Sequence, residues 1–217
     1  MKLIRRTFTL LAVSLMIALT PNAFSQSSGM GIEGGINLAD ISIAPLTVTT
    51  SSRTGMMVGA FADIGITRSF YIRPGLRYVM KGFSSVNNNG FVNVTTTTKI
   101  SYLEFPALLK VAFPLTEVKP YVMAGPTLGI MLSATQEQTD GVNNASGDVS
   151  QFLETIDFGL YFGGGIDFHV AKKIDMFVGA GYSLGLTNIV KPNPNNLQQV
   201  TGKNLGIQVT AGMKFGL

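Results

Sequence analysis

Apolar and polar side chains alternate along most of the chain. In the last stretch, GIQVTAGMKFGL (206–217), large apolar residues occupy every second position. Because successive side chains of a β-strand point to opposite faces, a period of two indicates strands. The 3.6-residue period of an amphipathic helix is absent from the chain. The pattern predicts eight strands, near residues 29–40, 54–66, 70–83, 97–113, 119–134, 152–170, 174–187 and 204–217.

The connections between these predicted strands alternate in length. The short ones lie near 67–69, 114–118 and 171–173, and the long, polar ones near 41–53, 84–96, 135–151 and 188–203. Short turns on one side and long loops on the other are typical of outer-membrane barrels. A sheet in lipid has to close, because an open edge leaves unpaired backbone groups in hydrocarbon. The sequence predicts an all-β fold, an eight-stranded antiparallel up-and-down transmembrane β-barrel whose last strand pairs with its first.

Each predicted strand carries its charges on one face only. In the sixth segment, Phe158, Phe162 and Phe168 share one face, and Asp157 and Asp167 lie on the other. A soluble barrel would place the apolar face inside and the charges outside. Here the charges share their face with Gly and Tyr, which suit a narrow polar interior. We expect the uncharged face to contact lipid, where a charge at mid-bilayer costs about 2–4 kcal/mol.

Four phenylalanines at the short-turn end fall on the predicted outer face. Aromatic residues collect at both interfaces of a membrane, and barrels carry them as girdles. A periplasmic aromatic girdle is therefore predicted, formed by Phe70, Phe113, Phe168 and Phe215.

The charged face predicts an ion-paired network inside the barrel. An eight-stranded barrel has room for its own side chains or one small ligand, and buried charges have to be paired. No ring of a single sign appears, as a selective pore would need, so a structural network is favoured over a conduit. Its predicted members are Glu33, Asp63, Arg73, Arg77, Lys81, Glu104, Lys110, Asp157, Asp167, His169, Asp175 and Lys214. Four pairs are expected: Asp63 with Arg73, His169 with Asp175, Lys214 with Glu33, and Arg77 with Glu104.

Residues 1–25 are expected to be a cleaved signal peptide, which leaves 26–217 as a single barrel domain. MKLIRRTF carries three cations, LLAVSLMIALT is an apolar run of signal-peptide length, and AFS ends in a small-x-small cleavage site. Without those three cations the formal charge falls from +4 to about +1, so the basic excess does not indicate nucleic-acid binding. The absence of cysteine excludes disulfides.

Five segments carry a family resemblance in consistent order: EGGINLAD (33–40), IRPGLRYVMKGFS (72–84), SYLEFPALLK (101–110), YVMAGPTLGIML (121–132) and GYSLGLTNI (181–189). They resemble strand motifs of the Bacteroidota outer-membrane β-barrel family called PorT-like, over the whole mature chain. Two features depart from the family pattern. Gly75 stands where an acid is usual, and the chain ends in MKFGL where the family often ends in an aromatic residue.

The resemblance implies an integral protein of the bacterial outer membrane. It links the chain, through the family's name-giving member, to protein secretion and gliding-related export. The implied partners are outer-membrane lipid, the barrel-assembly machinery during insertion, and secretion-system or surface proteins. No catalytic residue comes with the family. We expect no cofactor and no metal site.

We expect a non-enzymatic scaffold or accessory protein that acts through its loops, because loops on a rigid scaffold commonly carry function. The alternatives are a narrow channel or small-ligand transporter, a lipid-modifying enzyme, and a secreted soluble barrel. The sole histidine, His169, lies at the end opposite the long loops, which favours a structural role. Gly29-x-Gly31-x-x-Gly34 matches a dinucleotide fingerprint in spacing only, because no strand precedes it and no helix follows. No cluster of metal ligands is apparent.

Overall fold

The computed structural model describes residues 28–44, 50–88, 93–113, 115, 118–141, 143–192 and 200–216. The predicted signal peptide, residues 1–25, lies outside them, as does residue 217 of the last predicted strand. The described residues form nine strands and one 3-10 helix (Ser150–Phe152). The strands are β1 (Gly29–Ala44), β2 (Thr50–Gly65), β3 (Phe70–Asn88), β4 (Asn93–Ala112), β5 (Val118–Thr139), β6 (Asn144–Asp148), β7 (Ile156–Ala171), β8 (Ile174–Gly185) and β9 (Thr201–Gly216).

All strands except β6 close into an antiparallel ring of eight. Each strand of the ring pairs with the strands before and after it in the chain. These pairings include β4 with β5, and β5 with β7, because β6 lies outside the ring. The ring closes between the two ends of the barrel sequence, where β1 pairs with β9 from Gly29 opposite Gly216 to Ala44 opposite Thr201. The predicted eight-stranded up-and-down barrel is confirmed, and so is the pairing of its last strand with its first.

The strands extend further at the long-loop end than the hydrophobic pattern predicts. β3 and β4 stay paired as far as Asn88 and Asn93, and β5 continues to Thr139. The added strand β6 pairs with that outer part of β5, inside the predicted connection 135–151. All five residues of β6 are exposed. The backbone hydrogen bonds of this part of the sheet therefore continue beyond the point where the apolar alternation ends.

The start of β7 also differs from the prediction. The segment predicted to begin near residue 152 becomes a strand at Ile156, because Ser150–Phe152 forms a 3-10 turn and Leu153 makes only an isolated bridge to Val190. No helix among the described residues is long and apolar enough to span a membrane.

The two faces of the barrel have the predicted polarity. Large apolar side chains such as Val58, Phe158 and Val209 are exposed on the outer surface. Charged side chains such as Glu104 and Lys110 are buried inside it. Because a protein in water buries its apolar side chains, this inverted arrangement places lipid around the barrel wall.

Candidate functional site

The buried charges nearest the short turns form one group, which we call the turn-side cluster. Arg73 donates to Asp63 twice, from Nε to Oδ1 at 2.6 Å and from Nη2 to Oδ2 at 2.8 Å. Lys110 Nζ donates to Asp167 Oδ2 at 2.7 Å and lies 3.6 Å from Asp63 Oδ2. Three carboxylates and three cations balance within it: Asp63, Asp167, Asp175, Arg73, Lys110 and Lys214.

The second group, the loop-side cluster, lies further along the same lumen. Glu104, which is 0% exposed, accepts a hydrogen bond from Arg77 Nε at 2.8 Å. Its carboxylate also forms ion pairs with Arg77 Nη2 at 2.6 Å and with Lys81 Nζ at 3.0 Å. Lys81 also reaches Asp157 Oδ2 at 3.1 Å, and Arg77 lies 3.9 Å from Glu33. Each of these five groups therefore contacts an opposite charge, as a buried ion has to.

Two predictions about the network are wrong. Lys214 does not lie beside Glu33, because Lys214 stands opposite Gly31 on β1 and directly opposite Asp175 on β8. Its Nζ lies 3.2 Å from Asp175 instead. His169 does contact Asp175, at 2.9 Å from Nδ1 to Oδ1. Its side chain is 58% exposed, however, so His169 belongs to the rim rather than to the buried network.

Aromatic rings fill the space around the turn-side cluster. The guanidinium of Arg73 lies 4.0 Å from the ring centroid of Phe61, and Lys110 Nζ lies 4.0 Å from that of Tyr121. Phe61 meets Phe177 edge to face with centroids 5.5 Å apart. Cations over ring faces are stabilised by the ring quadrupole. Sequence reasoning did not assign these rings to the site, although they share the face of the charges.

Glycines on the inner face make room for these rings. A Cβ at Gly163 would lie 2.6 Å from the hydroxyl of Tyr161, and one at Gly212 would lie 2.6 Å from the Phe177 ring. Any larger residue there would collide with a ring from the same strand or from the neighbouring strand. These glycines therefore let the rings lie close against the inner wall of the barrel.

Buried amides complete the filling at the level of the loop-side cluster. Asn204 Nδ2 donates to Asp157 Oδ2 at 2.9 Å and to Tyr102 Oη at 3.3 Å. Asn37 Nδ2 donates to the carbonyl oxygen of Met80 at 2.9 Å. Sequence reasoning missed Asn37 and Asn204 because they carry no charge. Their positions on the inward faces of β1 and β9 were the signal that could have found them.

Above the charges, the barrel mouth is closed by an apolar group, which we call the loop plug. Ile189 comes from the loop after β8, and its backbone N–H donates to the carbonyl oxygen of Gly202 at 2.8 Å. Glu154, in the loop before β7, donates its N–H to Ile189. The interior was predicted to be polar, and this is wrong at the mouth. The buried members of the loop plug are Ile41, Ile100, Tyr102, Ala134 and Ile189.

The four phenylalanines predicted to form a girdle all lie at the short-turn end of the barrel. All are exposed on the outer surface, and all lie beside short turns. They are Phe70 at the start of β3, Phe113 just after β4, Phe168 in β7 and Phe215 in β9.

A closed barrel with an apolar wall and an ion-paired interior defines an integral outer-membrane protein. Residues 24–191 match the model of the family described as "Outer membrane protein beta-barrel domain", and the chain belongs to this family. The protein is located in the bacterial outer membrane.

Several solved outer-membrane barrels are similar to the chain. Neisserial surface protein A is 15% identical, with a TM-score of 0.50 over 87% of this chain and 97% of that one. Ail of Yersinia pestis is 10% identical, with a TM-score of 0.39 over 88% and 100%. OprG of Pseudomonas aeruginosa is 12% identical, with a TM-score of 0.40 over 90% and 99%. At these identities the likeness concerns the fold alone. No curated protein matches the chain.

The ion-paired clusters inside the lumen and the loop plug at its mouth predict that the barrel does not conduct ions. The purified protein in a planar bilayer is expected to give no stepwise current above that of the bare membrane, because the paired charges and the loop plug leave no continuous water path. A wide porin in the same lipid is the positive control. Regular conductance steps from this protein would contradict a closed lumen and favour the narrow-channel alternative.

Proposed function

We propose that the protein is a non-enzymatic scaffold that binds a protein partner through the sheet projecting from its extracellular end. The observation that carries the proposal is the free edge of β6. Long loops of outer-membrane barrels face the outside, and β6 lies at that end, paired only with β5 among the described residues. Its five residues are all exposed.

The backbone geometry of β6 shows which groups face the open edge. Val149 N–H donates to the carbonyl oxygen of Ala134, and Asp140 N–H donates to that of Asn143. In an antiparallel ladder the bonded pairs alternate, so the odd-numbered residues of β6 bond to β5. The N–H and C=O groups of the even-numbered residues point away from β5, towards the free edge. They belong to Asn144, Ser146 and Asp148.

An unpaired row of backbone groups is a template for an added strand. Proteins usually block such edges with charge, proline or a covering element. β6 has the sequence NASGD, with only Asp148 charged. The backbone N–H of Ser150 donates to Asp148 Oδ1 at 2.7 Å and lowers the pKa of that carboxyl. An extended partner segment that pairs with β6 would use the β-augmentation mode of peptide recognition.

The resemblance to PorT-like proteins supports a more specific role within this proposal. The partner is then a component of a protein-secretion or surface assembly, and the barrel is its accessory subunit in the outer membrane. The barrel-assembly machinery acts as a second, transient partner during insertion, and lipid surrounds the apolar wall. The paired charges of the lumen hold the barrel rigid and perform no chemistry.

Replacing Ser146 by proline is expected to abolish recovery of the partner in a tagged pull-down from detergent-solubilised native outer membrane. Proline removes the N–H that points to the free edge, and proline is tolerated on an edge strand where that N–H faces solvent. Ser146→Ala is the matched control, because it removes the hydroxyl and keeps the N–H. Bound proteins are identified by mass spectrometry, and a heat-dependent gel shift shows that each variant is folded.

The possible outcomes distinguish a failure of docking at the β6 edge from a failure of the scaffold function. Recovery of the same partner at an unchanged amount with Ser146→Pro would contradict docking at the β6 edge. Equal loss with both variants would point to the hydroxyl and would also contradict strand addition. If the unaltered protein recovers no partner, the scaffold function itself is wrong.

A further inference from the structure

A cavity of about 260 Å³ lies at the barrel mouth, next to the loop plug, and three members of the loop plug, Ile41, Ile100 and Ile189, line it. Ten of its twelve lining residues are apolar, and the other two are Thr98 and Gln136. The wall contributes residues from β1, β3, β4 and β5, and the rest lie at positions 149–153, 189–190 and 200. The apolar members that the argument uses are Ile43, Phe152 and Val190.

The size and lining of the cavity select an apolar occupant. An engineered cavity of about 150 Å³ lined by Leu, Ile and Phe stays dry and binds benzene. Scaled from the six carbons of benzene, the present volume accommodates a chain of about ten carbons. The cavity opens to the outside where Phe152 is 60% exposed, so water enters it. Because an ordered water molecule needs two to four polar partners and only two of the lining side chains are polar, an apolar chain that displaces this water is favoured.

A cation lies at the rim of the cavity. Lys191 follows the lining residue Val190, and its backbone N–H donates to the carbonyl oxygen of Phe152 at 2.9 Å. Its Nζ donates to the carbonyl oxygen of Gln151 at 3.2 Å. No described carboxylate lies within 4 Å of that Nζ. Phe152 is 60% exposed, so the rim is open to the outside at this point.

We infer that the cavity binds a free alkyl carboxylate of about ten carbons, with its chain among Ile43, Phe152 and Val190 and its carboxylate on Lys191. The apolar lining selects the chain. The ammonium of Lys191, which forms no ion pair with any carboxylate of the described residues, selects the charge of the head group. This site is independent of strand addition at β6, since it uses the inner face of the mouth and not the sheet edge. It makes the protein a receptor for a small amphiphile from the medium.

The chain contains no tryptophan, so a single introduced indole reports on the cavity without background. Phe152→Trp places it at the rim. The variant is reconstituted in phosphatidylcholine vesicles and titrated with 10-bromodecanoic acid, whose bromine quenches a nearby indole. Saturable quenching is expected. Phe158→Trp is the matched control, because Phe158 faces lipid and its quenching should rise in proportion to the acid dissolved in the bilayer.

Two second-site changes in the Phe152→Trp background test the two halves of the proposed ligand site. Val190→Phe fills the cavity and is expected to abolish the saturable phase. Lys191→Gln is expected to weaken binding of the acid by about fivefold, as for an exposed ion pair, and to leave binding of the methyl ester unchanged. A heat-dependent gel shift confirms that each variant is folded.

Three results would overturn the inference. One is quenching of Phe152→Trp that follows the same proportional course as Phe158→Trp. Another is an indole whose emission is already that of a buried group and does not respond to the acid, because the cavity is then filled by the chain itself. The third is acid and methyl ester binding with equal affinity before and after Lys191→Gln.

Discussion

Replacing Glu104 by alanine is expected to lower the free energy of unfolding by about 3–5 kcal/mol, the usual cost of removing one partner from a buried ion pair. Glu104 forms ion pairs with both Arg77 and Lys81 in the loop-side cluster. Without it, the only carboxylate of the described residues within 4 Å of Arg77 is that of Glu33, 3.9 Å away. An unpaired guanidinium in the lumen keeps its full desolvation penalty. Urea unfolding in phospholipid vesicles, followed by the heat-dependent gel shift, measures the change.

Two control variants are needed to interpret the unfolding free energy of Glu104→Ala. Glu137 pairs with Lys99 on the exposed projecting sheet, and Glu137→Ala should cost at most about 1 kcal/mol because water screens that pair. Glu104→Gln keeps the shape of the side chain and removes the charge, so it separates electrostatics from packing. If Glu104→Ala costs no more than Glu137→Ala, the lumen is solvated and the network is not a structural core.

An arginine in place of Val209 is expected to destabilise the barrel by about 2–4 kcal/mol, the cost of a charge on the lipid face at mid-bilayer. Val209 is 46% exposed on the outer face, half-way along β9. Its ladder partners, Ile36 and Ala180, also lie near the middle of their strands. A guanidinium at this depth meets hydrocarbon instead of water. The free energy of unfolding in vesicles is again the measurement.

The same substitution near the short turns provides the matched control. Val170 is 59% exposed at the turn end of β7. At the membrane interface an arginine costs about 0–1 kcal/mol, so Val170→Arg should be nearly neutral. Equal effects at the two depths would falsify the assignment of the apolar wall to a lipid-embedded band. The comparison is internal, because both changes replace the same residue type by the same charge.

Pairings across short turns were predictable because a tight turn sets the register of the strands that it joins. The connection near residue 68 places Asp63 across from Arg73, and the turn at Lys172 places His169 across from Asp175. The structure has both contacts. Lys214 and Glu33 are not joined by a short turn, because their strands, β9 and β1, pair only where the ring closes. The register there depends on the stagger of all eight strands, and no local signal in either segment specifies it.

Besides the register at the closure, the alternation of apolar and polar residues did not predict how the inner face changes along the barrel axis. Ile41 and Ile100 occupy inward positions by their parity, as Glu33 and Glu104 do. The same inner face is ionic in the middle of the barrel and apolar at its mouth, because Val149 and Leu153 before β7 and Ile189 and Val190 after β8 pack against it there. A loop that closes the mouth packs through long-range contacts, which a pattern read along one strand does not reveal.

The sequence by itself determined the number of strands in the ring, the facing of each of them, the closure of the ring and the outer-membrane location. These follow from a period of two, from charges confined to one face, and from the requirement that a sheet in lipid has no open edge. Only the tertiary structure decided which charges meet across the closure, how the mouth is plugged, where β6 leaves a free edge, and where an apolar cavity remains. Each of these depends on strands and loops distant in the chain, whose relative positions are set by the packing of the whole barrel.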